Sequence, residues 1–276
     1  MPTLTSPQNP KLKLVRALMG RAKERRAESA FVAEGVRLIE EAVNADWPFR
    51  FVLVDETLSE RGKSQVEGLK SRGVECEEVS PSLMKSLSDT ETSQGILAVL
   101  NLAQLPVTNY QLLNHPAFFL IPDSIRDPGN LGTLIRSADA AGVDAVLIPP
   151  ETTDPFAPKV VRAGMGAHFR LPIVSMGWEE IGRISETANQ RVNESANLRV
   201  MVADMEGESC WEVDLRQPLA LIVGGEAEGA SEAAQKLASQ RIKIPMAGKT
   251  ESLNAAVAGS VLMFEVMRQR SVISFQ

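Results

Sequence analysis

The chain has 276 residues, enough for one large domain or two ordinary ones, and its 44% hydrophobic and 23% charged content is that of a soluble globular protein. The formal net charge of −6 argues against uniform coating of nucleic acid, although it leaves room for a local basic surface. No apolar run approaches the roughly 20 residues that cross a bilayer. The first residues contain no apolar signal core, so we expect no membrane partner.

Cysteine and histidine are scarce, which limits metal and disulfide chemistry. Two cysteines, Cys76 and Cys210, and two histidines, His115 and His168, are too few for a zinc cage or a disulfide framework. We therefore expect no metal in the functional site and a reducing, cytoplasmic location.

A basic run lies near the start of the chain, between Lys11 and Arg26, with Glu24 as its one acid. Apolar residues recur within it at helical spacing, so the run predicts an amphipathic helix. A charge run is usually a solvated helix face, but on an otherwise acidic chain it equally suits a docked polyanion. Both interpretations stay open, and Lys11, Lys13 and Arg16 are the candidate contacts.

Residues 29–99 alternate short apolar runs with helical patterns. Strands are predicted at 31–33, 49–54, 74–79 and 95–100, and helices at 34–43 and 60–72. This alternation predicts an α/β sandwich, to which we assign residues 1–100. Residues 101–116 contain prolines and asparagines with little regular pattern. They are interpreted as a linker to a second domain at 117–276.

The second domain opens with a buried strand at 118–121, followed by a loop with two glycines and then a helix. Asn130 lies where this helix begins, and Arg136 lies on another of its faces. The loop has neither a Walker lysine nor the dinucleotide spacing, which counts against a dinucleotide-dependent oxidoreductase. Further along, Lys159 and Arg162 belong to a segment, 154–167, that either packs as a helix through its valines or faces a phosphate.

Two more loops follow predicted strands. The strand at 219–223 ends in a glycine-rich turn, where glycines let a ligand approach the backbone and Glu226 is the notable carboxylate. Taken alone, Glu226 is more simply interpreted as an ordinary surface glutamate in a turn than as a functional carboxylate. The strand at 242–244 leads through a polar loop to a long helix, with Ser252 and Asn254 at its mouth. Small ligands bind at such carboxyl ends of strands in an open α/β sheet.

The last helix has two distinct faces in the sequence. Small residues form one face, and large apolar side chains form a stripe on the other: Leu253, Val257, Val261, Phe264 and Met267. This pattern predicts a helix packed on two sides. Either Thr250 or Ser252 is expected to cap its first N–H groups.

Three spaced motifs carry a resemblance to a known family. N-x₅-R at Asn130–Arg136, GGEAEG at Gly224–Gly229 and IPM…SLN at Ile244–Asn254 resemble the motifs of the SpoU (TrmH-like) RNA ribose 2′-O-methyltransferases, a branch of the SPOUT superfamily. Segments 31–40 and 92–98 look like the ribosomal-protein-L30e-like RNA-binding domain that precedes one class of these enzymes. The resemblance implies an N-terminal L30e-like α/β sandwich followed by a SPOUT α/β domain with a C-terminal trefoil knot, an exception among folds.

The same resemblance implies a cofactor and a site. S-adenosylmethionine would lie between the second and third loops, held by Ala203, Gly224, Ile244, Met246 and Leu253. The expected catalytic residues are Asn130, Arg136, Glu226, Ser252 and Asn254. Arginine is a poor base, so Arg136 would bind phosphate and the developing alkoxide while another group takes the proton. The RNA-binding candidates are Lys11, Lys13, Arg16, Lys159 and Arg162.

The implied reaction transfers a methyl group to a ribose 2′-hydroxyl, without a metal, in a homodimer joined through the knotted domain. The two-domain layout favours ribosomal RNA of the 23S type over transfer RNA. A transfer-RNA 2′-O-methyltransferase and a non-catalytic RNA-binding ribosome-assembly factor on the same scaffold stay open as alternatives.

Overall fold

The computed structural model describes residues 3–102, 115–190, 198–226, 228–250 and 252–271. The elements of residues 3–102 are β1 (Thr3–Leu4), α1 (Pro10–Gly20), α2 (Ala22–Glu28), β2 (Ala30–Glu34), α3 (Val36–Asn44), β3 (Phe49–Val54), α4 (Glu60–Ser71), β4 (Glu75–Val79), α5 (Pro81–Leu87) and β5 (Ile96–Asn101). Those that follow are β6 (Phe118–Asp123), α6 (Pro128–Ala140), β7 (Ala145–Ile148), α7 (Pro158–Gly164), a 3₁₀ turn (Ala167–Phe169), β8 (Ile173–Ser175), α8 (Trp178–Gln190), β9 (Arg199–Ser209), β10 (Leu219–Gly224), α9 (Glu232–Leu237), β11 (Gln240–Lys243) and α10 (Ala255–Ser271). Among the helices of these described ranges, none combines the length and the apolar content that a membrane span requires.

The chain divides into two compact units, and the α/β class predicted for both is confirmed. The first unit comprises residues 3–102 together with Phe156–Phe169. Its described strands form one five-stranded sheet in the order β1-β4-β3-β5-β2, in which β5 runs antiparallel to both β3 and β2. Its core lies between this sheet and α1, where Leu12, Val15 and Leu18 are fully buried.

The segment Phe156–Phe169 packs in the first unit, although it lies within the second domain predicted at 117–276. Aromatic contacts explain this placement: the rings of Phe156 and Phe169 lie 5.1 and 6.3 Å from the ring of Phe31. Within the segment, Arg162 forms an ion pair with Asp89 at 3.0 Å. The predicted linker at 101–116 lies mostly outside the described residues.

The basic run forms two helices instead of one, because the chain is extended at Arg21, which ends α1 and begins α2. Arg25 is buried, 4% exposed, and donates to the backbone oxygen of Leu18, so this residue of the run is an internal contact. Helix α5 was not predicted; Ser80 caps it and Pro81 begins it, which is the usual chemistry of a helix start.

The second unit contains a sheet whose six described strands are all parallel, in the order β11-β9-β10-β6-β7-β8. Its central strands are apolar on both faces, as expected for a parallel sheet covered by helices. β9 is the longest strand described, with 11 residues. The register of β11 jumps from Arg241 opposite Val202 to Ile242 opposite Glu208, so β9 is irregular between these two points.

Helix α10 packs through its small-residue face. Gly259 leaves no room for a Cβ, which would lie 2.4 Å from Leu134 of α6. In contrast, three members of the predicted stripe are exposed: Val257 (48%), Val261 (40%) and Phe264 (42%). The core-facing side chains of α10 include Leu262, Met263 and Val266 instead. The stripe therefore leaves an apolar face of this helix open.

Candidate active site

The site lies where strands of the parallel sheet end. Gly224, the last residue of β10, pairs with Asp123, the last residue of β6, so the loops that follow both strands begin side by side. The Asp123 carboxylate is 1% exposed and accepts hydrogen bonds from the backbone N–H of Ser231, at 2.6 Å, and from the Ser124 hydroxyl, at 3.2 Å. A buried carboxylate therefore ties the loop after β10 to the end of β6.

Asn130 is held at the first turn of α6. Asp127 caps the helix by accepting from the Asn130 N–H at 2.8 Å, and Pro128 starts it with a preset φ. Neither Asp123 nor Asp127 was predicted to have a role. Asp123 ends β6 and Asp127 immediately precedes α6, and carboxylates between a strand and a helix are the signal that could have identified them.

Three side chains from the three predicted loops meet at one point. Asn130 and Asn254 both donate their side-chain N–H groups to Oε1 of Glu226, the latter over 2.8 Å. Asn254 also donates to the side-chain oxygen of Asn130 at 3.1 Å. We refer to Asn130, Glu226 and Asn254 as the Asn–Glu–Asn cluster. It is open to solvent, so a ligand can reach it.

Asn254 also begins the last helix. Its side-chain oxygen accepts hydrogen bonds from the N–H groups of Ala256, at 3.0 Å, and Val257, at 3.2 Å. The predicted caps, Thr250 and Ser252, were wrong. Asn254 lies next to the first helical residue, whereas both predicted residues lie farther from it. One amide group thus caps α10 with its oxygen and binds Glu226 with its nitrogen.

A cleft of about 160 Å³ adjoins the cluster. Its lining comes from the loops after β6 and β10: Ser124, Ile125, Arg126, Asp127, Asn130, Gly225, Glu226, Glu228, Gly229 and Ser231. Apart from Ile125 and two glycines, the lining residues have polar or charged side chains, which suits a ligand with hydroxyl groups.

Two predicted catalytic residues do not join the cluster. Arg136 follows Asn130 by six residues on α6, which places it about 9 Å farther along the axis and roughly 120° around it. Arg136 is exposed, and across the described ranges no hydrogen bond or ion pair involves it. Ser252 is exposed in the loop before α10 and is likewise unbonded within the part of the chain that the structure describes.

The predicted cofactor residues lie on the β9, β10 and β11 side of the sheet. Ala203, Gly224, Ile244 and Leu253 are half-buried, and Met246 is 41% exposed. A Cβ on Gly224 would lie 2.3 Å from the backbone nitrogen of Ala230, so only glycine fits this close turn. Among the described residues, no group of three or more histidine, cysteine or acidic side chains could hold a metal.

The predicted RNA contacts of the first unit differ in their surroundings. Lys11 binds Glu75 at 2.7 Å and Glu77 at 3.0 Å, and it lies over the ring of Phe51. Burial works to lower the pKa of Lys11, but the hydrogen bonds and charges of the two glutamates outweigh it, and the pKa is raised. Arg16 donates to the backbone oxygen of Pro7 at 2.8 Å.

The other three predicted contacts, Lys13, Lys159 and Arg162, also differ in their surroundings. Arg162 is engaged with Asp89, and Glu34 lies 3.9 Å from it. Lys13 and Lys159 are exposed. Most of the predicted basic surface is thus neutralised by acids or backbone oxygens of its own unit.

The fold and cluster define a parallel α/β domain with a polar site at its strand ends, preceded by a separate α/β unit. The sequence profile of the SpoU rRNA Methylase family matches residues 117–264, and that of the MRM3-like substrate binding domain matches residues 9–98. The chain belongs to the SpoU rRNA methylase family.

Similar proteins include the 23S rRNA (guanosine(2553)-2′-O)-methyltransferase RlmP of Bacillus subtilis, 32% identical over 96% of this chain and 99% of that protein. The 23S rRNA (uridine(2479)-2′-O)-methyltransferase of Streptomyces viridochromogenes is 31% identical over 95% of this chain and 91% of its own length. The crystal structure of the SpoU methyltransferase AviRb from Streptomyces viridochromogenes, in complex with the cofactor AdoMet, superposes with a TM-score of 0.83. It is 29% identical and covers 96% of this chain and 99% of that one.

Proposed function

We propose that this protein transfers a methyl group from S-adenosylmethionine to a ribose 2′-hydroxyl of 23S-type ribosomal RNA. The observation that carries the proposal is the Asn–Glu–Asn cluster, in which residues of three distant motifs meet at an exposed strand-end site. Family membership and relatives named as 23S rRNA 2′-O-methyltransferases support the reaction and favour ribosomal over transfer RNA. The two relatives act on different nucleotides, so similarity does not select the base.

The residues around Gly224 fit S-adenosylmethionine. Ala203, Ile244 and Leu253 offer half-buried apolar surface for the adenine, and the turn at Gly224 exposes backbone groups at close range. When bound, the cofactor supplies a methyl group on a positively charged sulfur, which needs no metal to activate it. The remaining work of the protein is to bind, orient and desolvate the ribose.

The Asn–Glu–Asn cluster is suited to orienting the ribose. Because both asparagines donate to the same oxygen of Glu226, its other carboxylate oxygen remains available to a ligand hydroxyl. Arg136 would bind a phosphate of the target nucleotide and the developing alkoxide, with two or more N–H groups in a fixed fork. A water or a neighbouring phosphate takes the proton. Positioning of this kind accounts for large rate increases without a strong base.

The distance between Arg136 and the cluster is best explained by a homodimer. The exposed stripe of Val257, Val261 and Phe264 gives α10 an apolar face that a second copy would cover. Each site would then combine the Asn–Glu–Asn cluster of one subunit with Arg136 of the partner subunit. The trefoil knot of this region stays a prediction. A cytoplasmic location is proposed as well, since Cys76 and Cys210 are buried free thiols.

Mixing two inactive variants tests this arrangement. If Arg136 acts across the dimer, Arg136→Ala and Glu226→Gln subunits exchanged in equal amounts regain about a quarter of wild-type activity, because half the dimers contain one intact site. Recovery no greater than the sum of the two separate variants would show that both residues act within one chain. Light scattering of Val261→Arg should give the 30.0 kDa mass of a single chain.

The reaction itself is tested in two steps. Calorimetry with S-adenosylmethionine should show binding, whereas a non-catalytic assembly factor would give no heat. Transfer of labelled methyl groups to unmodified 23S rRNA transcripts, compared with transfer-RNA transcripts, should favour the ribosomal RNA. Label recovered on a base instead of a ribose 2′-oxygen would contradict the proposed reaction.

A further inference from the structure

Arg136 lies on the exposed side of α6, between two neighbours of different character. The rotation of α6 is fixed by side chains that are fully buried: Leu134, Ile135 and Ala138. On one side of Arg136, the hydroxyl of Ser137 lies 2.7 Å from the hydroxyl of Ser260 on α10. On the other side, Asp139 lies about 60° around the helix from Arg136 and about 4.5 Å along it. Arg136 therefore has a helix contact on one flank and a carboxylate on the other.

Asp139 is the acid that could capture Arg136. It is the one acidic residue within four positions of Arg136 along the chain. Residues three apart on a helix have Cβ atoms about 5–6 Å apart, which is within reach of an ion pair. Asp139 also lies in the last turn of α6, where a negative charge is unfavourable, so its carboxylate is expected to attract a cation. An Arg136 held in this way could not turn its guanidinium towards a ligand.

Arg170 occupies the carboxylate instead. Its Nε and Nη2 groups donate to Oδ2 of Asp139 at 3.1 and 2.8 Å. The backbone beyond Arg170 is fixed, because Leu171 is buried and the carbonyl of Pro172 accepts from the backbone of β7 at 2.9 Å. Across the residues that the structure describes, Arg136 is left without an ion pair or hydrogen bond.

We propose that Arg170 is a positioning residue, which binds Asp139 and thereby keeps Arg136 available to a phosphate of the substrate RNA. This inference rests on the proposed function, which gives Arg136 its ligand. Two features favour Arg170 in the competition for Asp139. Arg170 donates two N–H groups, whereas an arginine three residues before an aspartate has the weaker orientation of a helical ion pair. Arg170 touches no reacting atom and acts through Arg136.

The test measures RNA affinity, by filter binding with an unmodified 23S rRNA transcript, and single-turnover methyl transfer. Arg170→Ala should lower both by about 2- to 5-fold, the factor that corresponds to an exposed ion pair, because Asp139 then captures Arg136. Adding Asp139→Asn should restore both, and Arg170→Lys should stay near wild type because lysine still neutralises Asp139. The matched control is Arg216→Ala, which removes an arginine that donates twice to Asp214 in the same unit and should leave both values unchanged.

Two results would overturn the proposal. One is a double variant, Arg170→Ala with Asp139→Asn, that binds RNA as weakly as Arg170→Ala, because Arg170 would then contact RNA itself or only support the fold. The other is an equal loss from Arg170→Ala in wild type and in an Arg136→Ala background, where no guanidinium remains for Asp139 to capture. Arg170→Gln keeps most of the side chain without its charge and repeats the comparison if the alanine variant melts at a lower temperature.

The affinity for S-adenosylmethionine, measured by calorimetry, should be unchanged in Arg170→Ala. A wild-type protein that binds RNA but transfers no methyl group would refute the proposed function, and the RNA affinities of the variants would still decide the role of Arg170.

Discussion

Two sets of polar residues were predicted as functional, and the two units treat them differently. In the second unit, Asn130, Glu226 and Asn254 meet at an exposed point. In the first unit, Lys11 and Arg162 find acidic partners of their own unit, and those partners account for their presence. A charged residue is thus a stronger functional candidate when the fold leaves part of its bonding capacity unused.

The energetics of the two sets support this distinction. The hydrogen bonds of the Asn–Glu–Asn cluster join residues 28, 96 and 124 positions apart, yet they are exposed and add little stability. Three loops are thus ordered for a small gain in stability. That ordering is explained if a ligand binds to the arrangement of the three side chains. Lys11 is partly buried between the carboxylates of Glu75 and Glu77, and its ion pairs with them help to hold α1 against the sheet.

Arg136→Ala should give the largest effect. We expect methyl transfer to fall by about 10³-fold or more, because the variant loses the donors that hold phosphate and the developing alkoxide. The affinity for S-adenosylmethionine should stay within a few-fold of wild type. Single-turnover methyl transfer and calorimetry measure the two quantities separately.

Arg136→Lys sharpens the same prediction. Lysine keeps the charge but loses the planar fork, so most of the activity should still be lost. Full activity in the lysine variant would show that charge alone is needed. Loss of cofactor binding in Arg136→Ala would contradict the role assigned to Arg136.

Glu226→Gln should have the next largest effect. Glutamine keeps the size of the side chain, but its neutral amide oxygen accepts hydrogen bonds from the two asparagines more weakly than the carboxylate does. The orientation of the cluster is therefore lost. A displacement of about 1 Å costs up to about 10²-fold in rate, and we expect a loss of that order. Glu232→Gln, at the exposed start of α9, is the matched control and should transfer methyl groups at the wild-type rate.

Much of this fold could be read from local patterns. The strands at 49–54 and 118–121 and the helix at 60–72 were predicted to within two residues, because apolar runs and capping residues act locally. The convergence of Asn130, Glu226 and Asn254 was expected from a family resemblance, since no local pattern reports which strands become neighbours.

The remaining differences have a common physical cause. Which face of α10 is buried depends on the groove it meets, and the close approach of Gly259 to Leu134 selected the small-residue face. Likewise, the engagement of Arg162 depends on Asp89, 73 positions away. Long-range packing decides such outcomes, and a single sequence carries little record of it.

Asn254→Asp should have a smaller effect that separates two roles of one residue. Aspartate caps a helix as well as asparagine does, so α10 should remain stable, whereas Asn254→Ala should lose about 1 kcal/mol. Aspartate lacks the N–H groups that bind Glu226 and adds a like charge, so methyl transfer should fall by roughly 10-fold to 10²-fold. Thermal melting and turnover measure the two effects. Wild-type turnover in Asn254→Asp would reduce Asn254 to a cap.

The smallest effect tests the other side of the comparison, at Lys11. Lys11→Ala should lower the free energy of unfolding by up to about 1 kcal/mol, as expected for a partly exposed ion pair, whereas Lys13→Ala on the same helix should change it by less than about 0.5 kcal/mol. The pKa of Lys11 is raised above its usual 10.5 by its bonds to Glu75 and Glu77, against the effect of burial. A raised pKa means that the folded state holds the proton more tightly, so the contribution is complete below about pH 10.5 and is lost as the pH rises through the folded-state pKa. Denaturant unfolding of the wild type and both variants at pH 8 and pH 11 measures these differences in the free energy of unfolding.

RNA affinity should follow the opposite order. Lys13→Ala should bind RNA more weakly than Lys11→Ala does, because of the two lysines only Lys13 leaves its charge exposed. A larger loss of RNA affinity in Lys11→Ala would show that pairing with acids does not withdraw a lysine from RNA.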